Sequence, residues 1–497
     1  MKKDEIDFKF EMDPKSRFKR IISLDIYRGW AIVFVVMFHG IVFNAFENTG
    51  KAQQNIDIWL FLVLIPFVIL GTWASLFCFI TGIGTTYAIN SRLIENEDYS
   101  LKKRYFKSLL RVLILLFLHF MWCYFFAPQD ENVLGQTHIS MISGSIRTGN
   151  LSFPSPLIFF RTSAFSMLAF TELLLSTTLV ILFRNGGYKK TRRNKFIFLL
   201  IGSLILIPGE ILSLVFKPII FHNLTAEDSM LHYILALLDI WLFNGSRAAF
   251  PDAGFAFFGA YLGLLKAKKS SPEKIMLKGA TKGWIMVFLG AFLMLFFGIP
   301  LISTQRLYPV GLYVFNLGIQ MILGAWLLCQ DFIPMDQRRL ERPILQWSVN
   351  PRRWGLISLT LFLLEQPYSA LVCACFKFLF SSLMKDLFFV VFVFAPTYYF
   401  ITVRFLCLWE NYNFKYSLEW LLASIGKDRD VSQNEDFLHI NDIVYLPSFK
   451  IRNPETGEVR NLTNDENLNK DIPFETSKEY KKVSVFHLKE MKNLMDM

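Results

Sequence analysis

The residues best suited to chemistry sit at the start of the first apolar run, RFKRIISLDIYRGWAIVFVVMFHGIVFN, residues 17–44. One histidine, His39, lies deep inside that run, and Arg28 precedes it by eleven positions. At about 100° per residue, a helix places Arg28 and His39 within about 20° of each other and Asp25 about 60° from Arg28. All three therefore share a face. Eleven residues rise roughly 16 Å, about half of a hydrocarbon core. A charged pair at one membrane surface would then sit below an imidazole near the midplane. Two readings stay open: a core histidine hydrogen-bonded to a neighbouring helix, or a general base or nucleophile. Ionisable groups at that depth are expensive, so the functional reading is the one to test.

A second group is cationic. In SLKKRYFKSLLRVLILLFLHF, residues 100–120, Lys102, Lys103 and Arg104 open a span, and Lys107 and Arg111 follow at helical spacing. Arg104, Lys107 and Arg111 fall on one face. Positive-inside anchoring with snorkelling side chains explains most of the row. It explains Arg111, a turn deeper, poorly, and an inward row of cations suits the phosphates of coenzyme A. His119 is two turns deeper but about 80° away from Arg111, and reads as structural. Glu172, Glu210 and Glu365 also fall inside apolar spans, where each is either hydrogen-bonded between helices or protonated.

The pattern R-x5-S-L-D-x2-R-G-x-A-I, followed by an apolar run and a histidine, is carried by Arg17, Ser23, Leu24, Asp25, Arg28, Gly29 and His39. It resembles the first span of the transmembrane acyltransferase superfamily. Within that superfamily it is most similar to heparan-α-glucosaminide N-acetyltransferase-like catalytic domains, with YeiB-like and acyltransferase-three proteins as relatives. Further similar phrases are FITGIGTTYAINSR at 79–92, FPDAGFAFFGAYLG at 250–263, NPRRWGLISLTLF at 350–362 and YSLEWLL at 416–422. The last two look like the YeiB-like branch, which tends to carry asparagine where His39 stands. Together the phrases cover about 17–425.

The elements that must position these groups are membrane helices. The 497 residues are 53% hydrophobic, include 52 phenylalanines and have a mean hydropathy of +0.38. Apolar runs give ten spans, at about 28–46, 70–90, 106–127, 163–183, 196–216, 250–266, 281–303, 309–329, 354–378 and 388–410. With both termini cytoplasmic, 29 Lys and Arg lie in inner loops and seven in outer loops, as the positive-inside rule requires. That pattern also locates the net charge of +11, so a nucleic-acid partner is not expected. The charged N-terminal segment reads as retained, not as a cleaved leader. Apolar stretches 57–69 and 231–245 are too short to span and read as interfacial helices. The outward loop 128–162 suits acceptor docking or a lid. Asn150-Leu-Ser and Asn223-Leu-Thr fit a glycosylation pattern.

Six cysteines, including a Cys373-x-Cys375 pair, show neither metal-ligand spacing nor a disulfide framework. The expected organisation is a cytoplasmic segment 1–27, an all-α multi-pass domain 28–425 and a polar cytoplasmic tail 426–497. In the tail, Asn453-Pro-Glu-Thr-Gly centres a β-hairpin.

The resemblance implies an acyltransferase of the plasma membrane that takes an acyl group, acetyl above all, from cytoplasmic acyl-CoA. The acceptor would be a hydroxyl or amine on an outward-facing glycan or glycolipid. On this reading His39 is catalytic, Asp25 and Glu365 support it, and Arg28, Lys103, Arg104, Lys107 and Arg111 bind the co-substrate. A secondary transporter or lipid translocator using His39, Glu172, Glu210 and Glu365 is the alternative, although no internal repeat is apparent. A scaffold acting through the tail is a third. Sequence is silent on oligomeric state.

Overall fold

The computed structural model describes residues 21–41, 74–96, 99–128, 130–131, 137–206, 230–244, 248–268, 270–297, 310–330, 348–424, 438, 450–452 and 459–461. Arg17, Glu210, Asn223 and the 57–69 stretch lie outside them. The chain divides into Met1–Leu438 and His439–Met497.

The first unit is a helical, multi-pass membrane bundle. Its helices are α1 Ile22–His39, α2 Ala74–Glu95, α3 Leu101–Met121, α4 Met141–Thr148, α5 Ala164–Phe183 and α6 at 191–206. They continue with α7 Met230–Asp239, α8 Ala249–Ala267, α9 Pro272–Phe297 and α10 Val310–Gln330. The series closes with α11 Val349–Leu356, α12 Ser358–Leu379, α13 Ala395–Glu410 and α14 Leu418–Ser424. Among the described residues, seven are long and apolar enough to cross a membrane: α1, α3, α5, α9, α10, α12 and α13 with its preceding turn. Leu110, Leu113 and Phe117 of α3 and Phe288, Phe292 and Leu295 of α9 are exposed, as side chains facing lipid would be.

Helix α8 has the opposite character, because nearly every residue from Asp252 to Leu265 is buried. It threads the bundle centre by close backbone approach. A Cβ on Gly259 would lie 2.1 Å from the Phe79 carbonyl oxygen, and one on Gly82 would lie 1.9 Å from that of Ala256. Only glycine fits either crossing with α2.

Two expected boundaries move. The span expected at 354–378 begins at Ser358, because Ile357 (φ −113°, ψ 35°) breaks the helix and 349–356 form the separate α11. Hydropathy runs through the break, and only the backbone reveals it. Residues 137–162 of the outward loop 128–162 are folded: α4 and a 3-10 turn, Pro156–Phe160, are tied down by Ser140 Oγ to the Ala127 carbonyl (2.6 Å) and Arg161 to the Pro128 carbonyl (2.7 Å). The apolar helix Met230–Phe243 is about 21 Å long by helix rise, short of a hydrocarbon core.

In the second unit, the strand β1 Lys450–Arg452 pairs antiparallel with β2 Val459–Asn461. The Asn453-Pro-Glu-Thr-Gly phrase falls between them.

Candidate functional site

His39 closes α1, and its Nδ1 lies 2.6 Å from Glu365 Oε1 in the third turn of α12. The side chains are 12% and 1% exposed. Gln366 Nε2 donates to the same carboxylate oxygen at 3.4 Å. The surround is aromatic. Phe362 stands edge-on to the imidazole with centroids 6.5 Å apart, and itself contacts Trp122 of the turn after α3 and Phe165 of α5. Tyr398 of α13 is fully buried and packs against Gly40. A carboxylate that accepts from Nδ1–H orients the ring and holds one tautomer, as carboxylate–histidine pairs do. A carboxylate this buried needs such a partner.

At the other end of α1, Arg28 Nη2 donates to Asp25 Oδ1 at 3.2 Å. Helix α11 packs directly on this turn: a Cβ on Gly29 would lie 1.7 Å from the Pro351 carbonyl oxygen, and one on Gly355 would lie 2.6 Å from that of Asp25. The phrases SLDxxRG and NPRRWG therefore form one joint. Arg352 is 1% exposed there, and burial lowers its guanidinium to about 10 while Asp25 opposes that shift. Arg353 forks onto Glu410 Oε2 through Nε and Nη2, each at 2.7 Å, and ties α11 to α13.

Helix α12 has no cap of its own at Ile357. Glu419 of α14 supplies it, accepting from Leu359 N–H at 2.6 Å and from the Thr360 hydroxyl at 2.6 Å. Burial raises the Glu419 carboxyl above its ordinary range, although these hydrogen bonds and nearby Arg28 pull it back.

The cations of α3 differ in setting. Arg104 is half-buried and faces Glu172, Arg92 and Arg111, whereas Lys103, Lys107 and Arg111 are exposed. Tyr105 bonds Thr177 at 3.2 Å and fixes α3 against α5. Thus Asp25 and Arg28 lie together, His39 and Glu365 lie together, and the α3 group stands on another helix. His119, fully buried, bonds Ser163 Oγ at 2.8 Å and meets Trp241 edge-on at 4.9 Å. Ser163 is the α5 N-cap, so this histidine reinforces a helix end. Glu172 is buried in α5, and among the described residues Oε1 has no hydrogen-bond partner.

Sequence reasoning placed Glu365 with Asp25 in support of His39, and the structure adds the direct contact between Glu365 and the imidazole. Sequence reasoning passed over Arg352, Arg353 and Glu419, whose signals were the NPRRWG and YSLEW phrases. No protein-family model matches the chain, and no curated protein or solved structure matches it either.

Proposed function

We propose that the protein is a membrane acyltransferase, moving an acyl group, acetyl above all, from cytoplasmic acyl-CoA to a hydroxyl or amine of an outward-facing glycan or glycolipid. The observation that carries this reading is the His39–Glu365 pair, an oriented base at the 2.6 Å contact inside an apolar helix pair. In the direct route, Nε2 takes the proton of the acceptor hydroxyl or amine as its oxygen or nitrogen attacks the thioester carbonyl. The C–S bond then breaks, and the leaving thiolate takes the proton back from the imidazolium. In the two-step route, Nε2 attacks the carbonyl itself and the thiolate leaves; the acceptor oxygen or nitrogen then attacks the acyl carbon, the C–N bond to Nε2 breaks, and the acceptor's proton passes by way of Nε2 to the thiolate.

Helix rise supports a shared donor level. Phe362 touches both His39 and Trp122; Arg28 and Arg111 each precede those partners by eleven residues, roughly 16 Å of helix. With α1 and α3 both entering from the cytoplasm, the two arginines stand at one depth below the pair. Arg28, Arg104 and Arg111, with Lys103 and Lys107 at the rim, would take the phosphates of coenzyme A while the thioester reaches inward. Asp25 holds Arg28. The reading has ten spans with both termini in the cytoplasm, at the plasma membrane; the seven long apolar helices plus α2, α6 and α8 make that count.

A carboxylate–imidazole pair would also serve proton-coupled transport. The deciding experiment follows free thiol release from acetyl-CoA by purified protein with and without sugar acceptors. Release that depends on His39 supports the transferase; protein that binds no acetyl-CoA and releases no thiol overturns it.

A further inference from the structure

A cleft of about 540 Å³ opens where α6, α8 and α9 meet, on helices that carry none of the groups assigned to acyl transfer. Lys195 and Thr191 come from the first two turns of α6, and Lys268 from the residue after α8. Ser271 precedes α9, and Lys274 and Lys278 follow in its first two turns. Among the described residues, no carboxylate lines it. Glu273, the acidic residue of the first turn of α9, is exposed and outside the lining.

Two ordinary explanations account for part of this charge. The positive-inside rule accounts for lysines in a cytoplasmic loop, and Lys268 at the C-terminal end of α8 complements that helix dipole. Neither accounts for the convergence. Lys274 and Lys278 sit at the N-terminal end of α9, where the dipole disfavours cations. Both crowd Lys195: burial lowers its ammonium below the usual lysine range, and Lys278, Lys274 and Lys282 lower it further. Lys282, one turn beyond Lys278, is held over the Tyr261 ring at 5.4 Å. A solvated basic surface would let these chains splay apart; here the fold gathers them around a concavity large enough for a small anionic group.

We propose that this cleft binds a phosphate-bearing anion, held by Lys195, Lys274 and Lys278 with the hydroxyls of Thr191 and Ser271 as further donors. A doubly charged phosphate relieves the lysine repulsion and meets the N-terminal amides of α9. The phosphate would come either from the headgroup of an acidic phospholipid or from a soluble phosphate compound. The inference stands apart from the acyl-transfer reading.

The test uses the full chain in phosphatidylcholine nanodiscs and follows its unfolding temperature in two arms, with added inorganic pyrophosphate or with phosphatidic acid incorporated in the disc. Stabilisation by pyrophosphate assigns a soluble ligand; stabilisation by phosphatidic acid alone assigns the lipid. In either case Lys274→Gln/Lys278→Gln should weaken the response at least about tenfold. Lys274→Arg/Lys278→Arg and the exposed Lys190→Gln should keep it. If the double glutamine variant fails to fold, Lys195→Gln is read in its place. Absence of a response in both arms, or an equal response in wild type and the glutamine variants, overturns the proposal.

Discussion

His39 Nδ1 and Glu365 Oε1 lie 2.6 Å apart although 326 positions separate them in the chain, so one contact joins α1, near the start of the chain, to α12.

If His39 Nε2 is the base or nucleophile, His39→Ala should lower acyl transfer at least about 100-fold, with acetyl-CoA binding retained because the arginines stand roughly 16 Å away. Glu365→Gln keeps a hydrogen-bonding side chain but loses the charge that orients the ring, so kcat should fall with little change in KM. Label retained on protein from radiolabelled acetyl-CoA without acceptor would select the two-step route. A folded His39→Ala protein with near-normal turnover would refute the assignment.

Arg111→Ala should weaken acyl-CoA binding by roughly 1.5–3 kcal/mol, the range of a charge-assisted contact. Arg111→Lys should restore part of it, since the fork is lost. Isothermal titration gives the answer, and unchanged affinity would reduce Arg111 to membrane anchoring.

Glu419→Ala removes the α12 cap and should cost about 1–2 kcal/mol of stability, measured by denaturant unfolding. Because the folded-state carboxyl is raised above the ordinary glutamate value of 4.5, the folded form binds the proton more tightly than the unfolded chain. The contribution of this group is thus greatest at low pH and declines as pH rises from about 4.5 through the raised folded value. Glu419→Gln should remove that slope while losing less stability than alanine.

Gly29→Ala sets a methyl 1.7 Å from the Pro351 carbonyl oxygen and should destabilise by on the order of 1–3 kcal/mol, lowering the unfolding temperature in detergent. Among the described residues, Gly84→Ala meets nothing nearer than Leu24 at 4.0 Å and should be tolerated. Equal tolerance at both positions would mean that the α1–α11 joint yields.

Hydropathy made the membrane class legible, and spacing made Asp25, Arg28 and His39 worth isolating. Glu365 could be named as a support for His39, but their direct contact was not legible, because nothing local to either residue encodes a contact between distant helices. The break at Ile357 was hidden for a related reason: WGLISLTLF is mostly apolar on both sides of it, and the cap that lets α12 restart there is Glu419, beyond the last span. The Lys195–Lys278 cleft was masked by its composition, since a topology rule already explained lysines in that loop. Hydropathy also counts apolar residues without telling lipid from protein as their neighbour, so α8 and the exposed α9 read alike.

That difference bears on how the chain is made. Helix α8 is enclosed on nearly every side and carries buried Asp252 close to Cys78 of α2, so it has no face ready for bare lipid. Synthesis from the N-terminus delivers α2, α5 and α6 first, and α8 then inserts against partners already in place. A circular permutant that begins at α8 would release Asp252 into the bilayer before α2 existed to receive it, and should fail at insertion even though every contact of the finished bundle is preserved.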